Sequence, residues 1–118
     1  MADKYDALFG KSPVSRELYK KLLAALKPFG PFEEEVKKTS IHLARQSAFA
    51  GIHPRKEHLV VTVKAAGPIR SSRVFKSEQV SKSRWHHEVK VVVAQDIDAE
   101  LLGWLREAYE LCAWGNAI

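Results

Sequence analysis

Hydrophobic positions along the chain follow two periods. From Arg84 to Val93, the residues Trp85, His87, Val89, Val91 and Val93 alternate with His86, Glu88, Lys90 and Val92. A period of two puts the first set on one face of a strand. The period then lengthens. Leu101, Leu105, Ala108, Tyr109 and Cys112 recur at three- and four-residue steps, which predicts an amphipathic helix over about 97–113. Asp96 and Asp98 precede the stripe, where carboxylates can accept from free N–H groups and complement the positive end of the helix dipole. Near the start, Val14, Leu18, Leu22, Ala25 and Leu26 make a second stripe, predicting a helix over about 13–27. Ser12 and Pro13 suit its first turn, and Pro28, Gly30 and Pro31 stop it.

Between the two helices, the strands are expected within 32–93. A hairpin with Arg45–Ala48 as its turn sets Ile41 against Ile52 and Leu43 against Ala50 on one face. His42, Ala44, Phe49, Gly51 and His53 then fall on the other. A slip of one residue would scatter the apolar set, so the pattern selects this register. His58 to Ala65 alternates again as a strand. Phe32 to Val36 reads equally as a short strand or a helical turn. Val74 and Phe75 predict a brief edge strand, and Ser77 to Ser83 reads as a polar loop. The fold class is α+β: an antiparallel sheet of about four to five strands, with an N-terminal and a C-terminal helix packed on one face.

Length sharpens this. The 118 residues suffice for one domain, taken as 1–118, and fall short of two ordinary ones. No apolar run approaches the roughly 20 residues that span a bilayer, and the first ten residues lack the apolar core of a signal peptide. The expectation is a cytoplasmic protein with no membrane partner. The one cysteine, Cys112, sits on the apolar helix stripe, where a buried inert thiol is the simplest reading.

Charge adds an asymmetry. The net charge is +5, but residues 36–94 carry twelve Lys/Arg against three Asp/Glu, whereas residues 95–118 carry one against five. A basic sheet region points to an anionic partner, and nucleic acid is the most specific candidate. The plainer reading is that lysine and arginine keep strand edges and turns soluble.

Several of these segments resemble a known family. The W-x-H-x-V strand (Trp85, His87, Val89) and the following D-x-x-L-L-x-x-L-R-E-A-Y (Asp98 to Tyr109) are similar to the C-terminal signature of a small bacterial domain of unknown function, family 5655. The K-T-x-I-x-L segment (Lys38, Thr39, Ile41, Leu43) and the P-R-K turn (Pro54, Arg55, Lys56) resemble its middle. The F-G-K-x-P-V-x-x-L-Y-x-x-L-L start (Phe9 to Leu23) resembles its first helix. The likeness covers nearly the whole chain, through the order of its motifs more than through any one of them. The strand-to-helix ending is more distantly similar to the MmcQ/YjbR group, a helix-flanked sheet described as a DNA-binding double wing. The resemblance supports the fold and brings no activity with it.

Candidate chemistry concentrates in a few residues. His87 falls on the apolar face between Trp85 and Val89. It could line a small pocket and exchange a proton, but a buried histidine with satisfied ring nitrogens is the favoured reading. Lys38, Thr39, Arg55, Lys56, Arg84 and Trp85 fall at strand ends and turns. If those turns converge, they make an anion site with an aromatic edge, since arginine contacts phosphate bidentately and an indole can stack on a base. His42 and His53 share a hairpin face without facing each other directly, and His86 points away from His87, so no metal site is expected. Nor is a cofactor: nucleotide-binding glycine loops are absent, as is a nucleophile elbow. Trp104 and Trp114 could mark a partner surface near the last helix. Taken together, the expectation is a non-catalytic binding module. The alternatives are a homodimer or other protein-interaction module, and a small-ligand pocket around His87.

Overall fold

The computed structural model describes residues 8–10 and 13–112. Helix α1 (Pro13–Leu26) leads through a 3-10 turn (Lys27–Phe29) to strands β1 (Glu33–Val36), β2 (Ile41–Ala44), β3 (Ala48–Pro54), β4 (Leu59–Ala65), β5 (Val74–Ser81) and β6 (Arg84–Val91). A second 3-10 turn (Ala94–Asp96) precedes helix α2 (Ala99–Leu111). The strands form one six-stranded sheet in the order β1-β2-β3-β4-β6-β5, antiparallel throughout. The architecture is α+β, with one strand more than the pattern predicted.

The sheet's two faces follow from alternation and register. On one face, Leu43, Ala50, Val63 and His87 lie in a row across four strands, and Ile41, Ile52, Val61 and Val89 lie in the next. Both helices press their stripes onto these rows, and Leu22, Leu26, Leu101 and Leu105 are fully buried there. Each such side chain contributes roughly 1.5–3 kcal/mol of transfer free energy. The α2 stripe is the predicted one. The α1 stripe is rotated: Ser15 and Tyr19 are buried with Leu18, Leu22 and Leu26, while Val14 is 44% exposed. Tyr19 explains the rotation. Its ring packs on Phe9, and its hydroxyl donates to the Glu34 carboxylate at 2.6 Å, so the helix turns that position inward.

The predicted hairpin register holds, with Ile41 opposite Ile52 and Leu43 opposite Ala50, but its turn is tighter. Ala44 pairs with Ala48, which leaves Phe49 as a β-bulge. The bulge corrects the expected facing of Phe49. The ring swings to the helix side and meets Tyr109 edge-on at 5.3 Å and Phe32 at 5.9 Å. Sequence periodicity cannot register a bulge, because one extra residue reverses every assignment beyond it. Gly30 serves the same corner. Its φ of +129° is unfavourable for other residues, and a Cβ there would stand 2.6 Å from the Tyr109 hydroxyl.

The polar segment after Phe75 is a strand. β5 runs for eight residues at the sheet edge and turns through Lys82 and Ser83 into β6. All but its first residue are exposed, so no buried face imposed an apolar alternation. Two bulges and the charges of Lys76 and Glu78 discourage pairing with another chain. The opposite edge, β1, is short and carries Glu33, Glu34 and Glu35.

β5 runs in the same direction as β4, with β6 between them, so residues 66–73 must return across the sheet. They do so on the helix side, over β6. Arg73 fastens the end of this crossover: its Nη1 donates to Asp98 at 2.8 Å and Glu100 at 3.2 Å, and its Nη2 donates to the Asp96 carbonyl at 2.7 Å. Asp98 is also the N-cap of α2, accepting from the Leu101 N–H at 3.0 Å. Asp96 instead closes its own turn by accepting from Val92 and Val93. Ser12, Tyr5 and Trp114 lie outside the described residues.

Candidate functional site

His87 occupies the helix side beneath the crossover and is fully buried. Its Nε2 lies 2.9 Å from the Gly67 carbonyl, which can only accept, so Nε2 carries the proton. Its Nδ1 lies 2.8 Å from the hydroxyl of Ser77, the residue directly across on β5. Trp85 stacks on the imidazole at 5.8 Å and 10° between planes. Both nitrogens are therefore engaged within the fold, and the ring pins the crossover to the sheet.

The basic candidates fall at two ends of the molecule. Lys38 and Thr39 lie in the β1–β2 turn, and Arg55 and Lys56 in the β3–β4 turn, at the same end of the sheet. Two strand spacings, about 10 Å, separate these turns. Arg84 and Trp85 begin β6 at the other end, level with Ala65. Seven residues of extended chain, roughly 23 Å, part Arg84 from Val91, which is level with the first end. The first four residues gather; Arg84 and Trp85 do not join them. Two other basic residues have structural duties. Arg73 holds the crossover, and Arg45 lies over the Tyr109 ring at 4.1 Å.

The second sheet face carries the chemistry that periodicity did not assemble. Neither described helix packs on it. One row runs across all six strands as Glu35, His42, Gly51, Thr62, Glu88 and Lys76. Lys64, His86 and Glu78 form the row on one side, and His53, Val60 and Lys90 the row on the other. Around Gly51 these rows enclose a concavity of about 290 Å³, lined by His42, His53, His86, Thr62, Glu78 and Glu88 among others. Sequence alternation placed His42 with His53, and His86 opposite His87. Bringing all three onto one face required the β3–β4 and β4–β6 pairings, which no local pattern encodes.

Electrostatics on this face are mixed. Burial is the main cause that lowers the His53 imidazole below its ordinary value, and the Arg55 cation adds to it while Glu88 opposes. Burial and then Lys64 lower His86 in the same way, against Glu78. Lys76 stands 3.7 Å from Glu88, and Lys90 lies 5.3 Å from the centre of the exposed Phe75 ring. Among the described residues, no three His, Cys, Asp or Glu side chains are grouped as metal ligands. No described helix is long and apolar enough to cross a membrane.

A family model described as a domain of unknown function (DUF5655) matches residues 5–112. The chain belongs to the DUF5655 family. The match spans both helices and every strand, so the family's domain is the α+β unit described above, including the helix-free face. No curated protein and no solved structure matches the chain.

Proposed function

We propose that this DUF5655 domain is a non-catalytic binding module that engages single-stranded nucleic acid along the helix-free face of its sheet. The observation that carries the reading is the face itself, a solvent-facing antiparallel platform on which three imidazoles and the Phe75 ring stand among lysines. Flat rings on an open sheet stack unpaired bases, and flanking cations take the phosphates. The separation of the basic groups favours a long anion over a small one. A phosphate ion touches one end only, whereas an extended strand passes from Arg55 and Lys56 along Lys90, Lys76 and Lys64 to Arg84. Both ring nitrogens of His87 are engaged within the fold, which favours a structural role over proton transfer at that residue.

Fluorescence anisotropy with labelled single-stranded and duplex DNA and RNA, at low and physiological salt, tests the reading. Contact with four or five phosphates of a single strand gives a log–log salt slope of roughly −3. Binding should prefer single strands, and Arg55→Glu with Lys56→Glu should weaken it several-fold. Absence of binding at low salt would remove the proposal.

A further inference from the structure

Resting on that nucleic-acid reading, we infer that the concavity around Gly51 is a pocket for one unstacked nucleobase, with Glu78 and Glu88 selecting bases that bear an exocyclic amino group. The void exists because β3 has no side chain at this point. A Cβ on Gly51 would stand 3.4 Å from His53 Nε2 and 3.6 Å from the Thr62 Cβ, in ordinary contact and no more. The resulting space of about 290 Å³ lies just below the range for drug-sized ligands, which suits a smaller guest such as a single heterocycle.

The lining explains a feature that phosphate binding leaves unexplained. Phosphate contacts alone call for no carboxylate here, yet Glu78 and Glu88 flank this concavity from neighbouring strands β5 and β6, and the Lys76 ammonium at 3.7 Å engages only one side of the Glu88 carboxylate. An ionised carboxylate only accepts hydrogen bonds. It matches the N–H donors on the pairing edges of cytosine, adenine and guanine, and carboxylates accept from the cytosine amino group in known base readout. Uracil and thymine keep an N3–H that one carboxylate can accept from, but the O4 carbonyl they carry where cytosine has its amino group meets the second carboxylate acceptor to acceptor. Thr62, which both donates and accepts, sits across from Glu88 and completes the edge contacts. The imidazoles of His42, His53 and His86 line the same space, and an imidazole is a planar group on which a base can stack. Lys64 and Lys90 lie in the rows on either side of the Thr62–Glu88 pair, where the flanking phosphates would run.

The test is competition against a labelled mixed-sequence oligonucleotide, using equal-length homopolymers of C, A and U at one low salt concentration. Wild type, Gly51→Val and Glu88→Gln are compared, each checked for an unchanged fold by thermal melting and circular dichroism. The expected result is that C and A oligomers compete about ten-fold better than U, in line with one good edge contact. Glu88→Gln should shrink that preference while leaving the salt slope in place, and Gly51→Val should bring all three oligomers to the U level. Homopolymers competing within two-fold of one another on the wild type would overturn the base pocket while leaving nucleic-acid binding intact. Glu88→Gln retaining the full preference would overturn the role of the carboxylates, even if Gly51→Val failed to fold. Failure of every oligonucleotide to bind would overturn the underlying reading together with this one.

Discussion

His87 shows how one side chain can look functional in sequence and serve the fold in space. Its alternation with Trp85 and Val89 correctly placed it on the apolar face, but the partners that satisfy it come from Ser77 and Gly67, ten and twenty residues away. Neither contact has a local signature. His87→Ala leaves a cavity in the core and removes the hydrogen bonds to the Ser77 hydroxyl and the Gly67 carbonyl, so a loss of about 2–4 kcal/mol is expected, measured by urea denaturation. The folded fraction should keep its oligonucleotide affinity, since the ring does not reach the open face. The histidines that do reach it behave differently with pH. His53 and His86 have folded values lowered from 6.5, so the folded state resists their protonation. Their contribution is present above 6.5 and is lost as pH falls through the lowered folded values. A urea midpoint that declines between pH 7 and 5, and declines less in a His53→Gln, His86→Gln double variant, is the expected outcome.

At the scale of elements, legibility tracked burial. β4, β6 and α2 each have one strongly buried face, and their periods identified them with nearly the observed limits. β1 and β5 are edges, wet on most sides, and their sequences gave no alternation to read. The hairpin register was legible because Ile41, Leu43, Ala50 and Ile52 bury only in one alignment, while the Phe49 bulge was not. The crossover was hidden too, since Arg73 acts through Asp98 and Glu100, more than twenty residues on. That junction should define a second acid window. The Asp98 carboxyl is held below 3.8, first by the Leu101 N–H and then by Arg73. Its contribution is present above 3.8 and is lost as pH falls through the folded value. The Asp98→Ala variant should lose about 1 kcal/mol at neutral pH, in keeping with a deleted cap, and show a shallower decline below pH 3.8 by the same urea titration.

The whole molecule divides its charge by location. The basic excess of residues 36–94 left open whether those side chains converge, and the sheet distributes them. One group gathers at the end with Lys38, Thr39, Arg55 and Lys56, another lies near Arg84, and Arg45 and Arg73 turn to structural contacts. Composition could report the excess but not its geometry, which depends on strand order. The helices cover one face, and the rings, lysines and glutamates collect on the other. The central claim is that this open face is the binding surface. Amide chemical shifts of the labelled protein, followed during titration with a short single-stranded oligonucleotide at low salt, test it most directly. Shifts are expected at Gly51, His53, Thr62, His86, Glu88 and the Arg55–Lys56 turn, with α1 and the outer surface of α2 unchanged. Shifts confined to the helices, or no shifts at saturating oligonucleotide, would contradict it.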